Sequence, residues 1–133
     1  NYSDRNTASF IGKYTSTVDE QYVAYIRPQE NGNKTDVRWL TLTNKEGFGL
    51  RIDGLQPLSV SALRNYPEDF DAGLTKSQRH INDINPRKAV VLHVDLAQRG
   101  VGGDNSWGMY PHEPYLLKAK EYTYGYVISP VAK

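Results

Sequence analysis

An antiparallel all-β sandwich carrying one short helix is the fold class this sequence predicts, and three observations predict it. Runs with period-two alternation recur along the 133 residues, turn signals separate them closely, and a single stretch carries helix-start chemistry. Closely spaced turns leave no room for the helical crossovers that a parallel sheet needs.

The elements follow in chain order. Tyr22–Arg27 alternates and predicts a first strand; Arg27–Gly32 joins it to the next, with Asn31-Gly32 as a turn pair. Thr35–Thr43 predicts a second strand with Val37, Trp39 and Thr41 on one face. Large apolar groups on both of its faces make it the leading core candidate. Asn44-Lys45-Glu46-Gly47 predicts a hairpin turn into Phe48–Gly54, and Pro57–Arg64 alternates again as a separate strand. At Tyr66–Asp71 the alternation breaks. Pro67 suits a first helical turn, and Glu68 and Asp69 favour the positive end of a helix dipole, so the one short helix belongs here. Strands are expected again at Lys88–Leu96, Tyr115–Lys118 and Tyr122–Ile128, with the Gly-rich Arg99–Gly108 as an irregular loop between them. No internal repeat or low-complexity segment interrupts this order, and residues 1–133 read as one domain or part of one.

Composition excludes several functions. Sixteen Lys and Arg balance fifteen Asp and Glu, and no basic run could neutralise a phosphate backbone, so nucleic acid is not an expected partner. With no Cys there is neither a disulfide nor a thiolate metal site, and no redox argument about compartment. The longest apolar stretch, Ala89–Leu92, is far too short to span a membrane, and Asn1–Arg5 does not look like a signal peptide. A soluble chain, processed or excised, is the expectation.

The chemistry-bearing residues sit in loops. Glu30 stands beside a tight turn, but one carboxylate makes no glycosidase pair, and no spacing in the chain assigns a second. His80, His93 and His112 show no HxH or HExxH spacing, so ordinary hydrogen bonding is expected rather than metal ligation. Ser106 lacks a nucleophile elbow, and Val101–Asp104 lacks the Gly-Lys-Ser/Thr of a phosphate loop. The loop from Gly100 to Trp107 has the best claim, because it places a large aromatic beside Asp104, Asn105 and Ser106. Sugars present apolar C–H faces and hydroxyl edges, which an exposed Trp and neighbouring polar groups can meet. The other reading, which composition alone favours, is that Trp107 plugs the end of the sandwich.

Val101-Gly102-Gly103-Asp104-Asn105-Ser106-Trp107-Gly108 resembles the G-G-D-x-S-W signature near the C-terminus of bacterial β-galactosidases of glycoside hydrolase family 2. Two further segments agree in order: Asn1–Arg5 is similar to the family's N-Y-x-D-R, and Tyr25–Gly32 to its Y-x-x-P-x-E-N-G. Thr35–Leu40 and the strand ending at Leu96 also fit, so the resemblance covers nearly the whole chain. It implies the second half of the family's C-terminal supersandwich, a domain related to the galactose mutarotase fold. The catalytic glutamates and the Mg and Na sites would then lie upstream. No catalytic residue, metal ligand or cofactor is expected in this chain, and the isolated chain is expected to be inactive.

What the resemblance implies for the site is Trp107 as a substrate platform, with Asp104 and Asn105 as loop-shaping neighbours grouped with it as substrate-binding residues. The family often has Asp where this chain has Asn105. The implied partners are a β-galactoside or other carbohydrate and the remaining domains of a parent enzyme, in a bacterial cytoplasm or periplasm. Half of a supersandwich should also expose strand edges, so self-association is expected. Two other readings stand beside this one: a free-standing carbohydrate-binding sandwich using the same loop, and a sandwich serving only packing and subunit contacts. Galactoside binding by the isolated chain favours the first of these two.

Overall fold

The computed structural model describes residues 10–25, 31–71, 73–75, 79–105 and 107–132. Within them four strands form one antiparallel sheet: β1 (Lys34–Thr43), β2 (Gly49–Leu63), β3 (Val91–Asp95) and β4 (Tyr126–Val131). Two short helices, α1 (Val18–Gln21) and α2 (Pro67–Phe70), and three 3-10 turns complete the described structure. The antiparallel, mostly β class expected from the alternation holds.

β2 is the spine. β1 pairs along one of its edges, from Thr43 opposite Gly49 to Lys34 opposite Val60. β4 pairs with residues 49–54 and β3 with residues 59–63, both antiparallel. β3 and β4 therefore lie end to end against β2, like one strand interrupted after Asp95 and resumed at Tyr126. Residues 96–125 leave the sheet at that break. Tyr124 Oη donates to the Val94 carbonyl at 3.3 Å, tying the returning chain to the departing one.

The hairpin turn forms as its residues predict. Asn44 Oδ1 accepts from the Glu46 and Phe48 amides, both at 3.0 Å, and Gly47 takes φ 89°, a region glycine enters without penalty. Phe48–Gly54 and Pro57–Arg64, expected as two strands, are one. The reason lies in the register: Val37 faces Leu58, yet Trp39 faces Asp53, so residues 54–57 bulge out of the ladder between them. Pro57 is tolerated there because the bulge asks for no amide donor.

The core sits on β2 and not on β1. Ile52, Leu58 and Val60 are buried, and Val37, Leu40, Leu50, Leu92 and Val94 pack on them half-exposed. Val37 and Leu40 stand three residues apart and still reach the same cluster, so alternation in β1 breaks at the bulge. Trp39 turns instead toward Arg51, whose guanidinium carbon lies 4.6 Å from the ring centroid.

Four other expectations are corrected. Tyr22–Tyr25 joins no ladder, because the Asn31 side chain occupies the Val23 backbone: Oδ1 accepts from its amide at 2.9 Å and Nδ2 donates to its carbonyl at 2.7 Å. The rest of that expected strand, with Glu30, lies outside the described residues. Tyr115–Lys118 is not a strand; Pro114 fixes a 3-10 turn over Glu113–Tyr115. Tyr122–Gly125 stays irregular and the final strand begins only at Tyr126. The helix at Pro67–Phe70 forms as expected, but a second one, α1, was not foreseen.

Candidate functional site

The excursion over residues 96–125 carries the Gly-rich loop, and a series of contacts closes it from base to tip. At the base the Gly100 amide donates to the Tyr115 carbonyl at 2.9 Å, and Pro111 is buried. The Arg99 guanidinium carbon sits 5.3 Å from the Tyr110 ring centroid. Higher up the two limbs come so close that a Cβ added to Gly103 would lie 2.8 Å from the Met109 carbonyl oxygen. That spacing requires glycine.

Across this waist, His112 Nε2 and Asp104 Oδ1 are 2.7 Å apart. The hydrogen bond that His112 donates to Asp104, aided by the carboxylate's charge, raises the His112 pKa above the ordinary imidazole value. At the tip, Asn105 Oδ1 accepts from the Trp107 amide at 2.8 Å, an Asx-type turn, and Gly108 at φ 108° sends the chain back. Trp107 itself is 90% exposed.

The structure thus brings Asp104, Asn105 and Trp107 together on one loop. Asp104 and Asn105 direct hydrogen bonds into the loop, toward His112 and the Trp107 backbone. His112 is the residue that sequence reasoning missed as a member of this site; its separation from Asp104 across a glycine-rich turn carries no recognisable spacing rule. Among the described residues no group of three His, Asp or Glu side chains is assembled to hold a metal ion. No described helix is long and apolar enough to cross a membrane.

An antiparallel sheet whose broken edge extrudes a glycine-rich loop defines a β-sheet module with an exposed aromatic, Trp107, on that loop. The chain belongs to the family described as β-galactosidase small chain, whose model matches residues 1–128. It is 39% identical over 132 residues to a β-galactosidase of Priestia megaterium, covering 98% of this chain and 12% of that protein. A β-galactosidase of Streptococcus thermophilus is 32% identical over 132 residues, again 98% of this chain and 12% of the relative. One from Vibrio cholerae is 32% identical over 124 residues, 93% of this chain and 11% of the relative. The chain spans about an eighth of the length of the curated relatives it matches.

Proposed function

We propose that this chain is a noncatalytic part of the C-terminal domain of a β-galactosidase and that it lends Trp107 to the sugar pocket of the assembled enzyme. The observation that carries the reading is the position of Trp107, 90% exposed at the apex of a loop tied at its base and waist. An indole so presented offers a flat apolar face to the C–H face of a galactosyl ring. In this reading the acid and nucleophile glutamates and the metal ligands belong to the rest of the polypeptide, since glycoside hydrolysis needs two carboxylates flanking the bond.

The remaining domains are the expected partners. Val127 and Ile128 are adjacent in β4 and point to opposite faces of the sheet, yet both are more than half exposed, and Leu55 at the bulge is 74% exposed. Apolar groups on both faces of one strand suit a sheet covered by further polypeptide. Hydrolysis of a chromogenic β-galactoside by the parent polypeptide, with none by this chain alone, is the expected result. Turnover by the chain alone that a single Glu→Gln change within it abolishes would overturn the proposal.

A further inference from the structure

The loop that carries Trp107 has a cross-brace whose strength depends on proton occupancy. Asp104 lies three residues before the indole and His112 five after it, and their side chains meet at 2.7 Å. The contact is an ion pair only while the imidazole is protonated. The other ties across the loop, Gly100 to Tyr115 and the close approach of Gly103 to Met109, are made by backbone and do not titrate. The brace is therefore the titratable one among these ties across the loop.

Other charges near His112 are engaged elsewhere. Its neighbour Glu113 accepts from Lys118 Nζ at 2.5 Å, and Arg99 lies against the Tyr110 ring. Asp104 is thus the charge that faces the imidazole. We propose that the Asp104–His112 pair positions Trp107 for sugar binding, so that substrate affinity follows the protonation of His112. This rests on the reading of Trp107 as the sugar platform. His112 touches no substrate atom in this account; it is a positioning residue.

The direction with pH follows from the charge. The ionic part of the brace is complete below about pH 6.5, the ordinary imidazole value, and is lost as pH rises through the higher value that Asp104 confers. Above that the loop keeps its backbone ties but the tip loses a constraint, and more entropy must be given up when sugar binds.

The test uses the full-length parent enzyme with a chromogenic β-galactoside, following KM and kcat from about pH 6 to about pH 9. Variants are His112→Gln, which keeps a donor but no charge, Asp104→Asn, Trp107→Ala and the double variant of Trp107 and His112. The ratio of KM for His112→Gln to that of wild type is expected to be about two- to threefold at the acid end, in keeping with the modest strength of exposed pairs, and to fall to about one at the alkaline end. Asp104→Asn should follow the same curve, with kcat unchanged. The double variant should have the KM of Trp107→Ala alone, because a positioning residue has nothing left to position. A ratio of one at every pH, or additive effects of the two changes, would overturn the proposal. If Trp107→Ala raises KM while His112→Gln does nothing, positioning fails and the platform stands; if Trp107→Ala leaves KM unchanged, both fall.

Discussion

The side-chain amide of Gln56 holds the backbone of Gly125 by both of its groups, Nε2 donating to the carbonyl at 3.3 Å and Oε1 accepting from the amide at 3.2 Å. The Leu55 amide also donates to the Gly125 carbonyl, at 3.0 Å. A side chain from the β2 bulge thus reinforces the gap between the end of β3 and the start of β4, where the regular ladder is interrupted. The loop excursion begins and ends at this gap, and Gln56 anchors its returning end to β2.

Gln56→Ala should remove both hydrogen bonds and lower the stability of the domain by about 1–3 kcal/mol, the usual cost of stranding one partly buried backbone group, here the Gly125 amide, since the carbonyl keeps the Leu55 amide. Gln56→Glu should not rescue it, since a carboxylate can still accept from the Gly125 amide but sets an anionic oxygen against the Gly125 carbonyl. Denaturant unfolding of the parent enzyme, followed by a probe in this domain, measures both.

Leu58→Ala should cost about 2–5 kcal/mol, because Leu58 is 1% exposed at the centre of the cluster with Ile52 and Val60. Val37→Ala and Leu40→Ala on β1 should each cost less, since both residues are only half-buried. The same unfolding measurement ranks them, and a larger loss at Val37 or Leu40 than at Leu58 would move the core back to β1.

Gly49→Ala should destabilise the β1–β2 hairpin by about 1–3 kcal/mol or more, since a Cβ there would stand 1.9 Å from the Leu42 carbonyl oxygen, a backbone atom that no rotamer change can move aside. Gly73→Ala provides the contrast. Nothing lies within 4 Å of its added Cβ, so only the strain of φ 67° opposes it.

Asp69 gives a prediction at acid pH. Arg87 grips it bidentately at 2.8 and 2.5 Å, and that hydrogen bonding holds the Asp69 carboxyl below the usual carboxylate range. A depressed carboxylate contributes stability above its unfolded value of about 3.9, and the contribution is lost as pH falls through the lower folded value. Asp69→Asn should therefore reduce stability near neutrality and flatten its decline on acidification. Acid titrations of wild type and variant, run side by side, check the sign.

The sequence announced the class and the loop better than it announced the packing. Hairpin chemistry at Asn44–Gly47 and the Pro-led turn at Pro67 are local signals, and both elements formed where those residues stand. The Thr17-Val18-Asp19-Glu20 capping box was just as local a signal for α1: Glu20 Oε2 accepts from the Thr17 amide at 2.6 Å. What stayed hidden was non-local. The bulge at residues 54–57 depends on Gln56 meeting Gly125, and the failure of Tyr22–Tyr25 to pair depends on Asn31 occupying Val23. At the site, Trp107 and its Gly neighbours were legible as a motif. The bond between Asp104 and His112 was not, because it depends on how the loop folds back at Gly108.

The central claim is that Trp107 is a sugar platform rather than a plug. Equilibrium binding of a non-hydrolysable galactoside to the intact parent enzyme, with melting temperature measured on the same samples, tests it most directly. The account predicts that Trp107→Ala weakens binding about three- to tenfold, the loss of one aromatic stacking contact, that Trp107→Phe weakens it less, and that neither lowers the melting temperature. Unchanged affinity together with a reduced melting temperature in Trp107→Ala would contradict it.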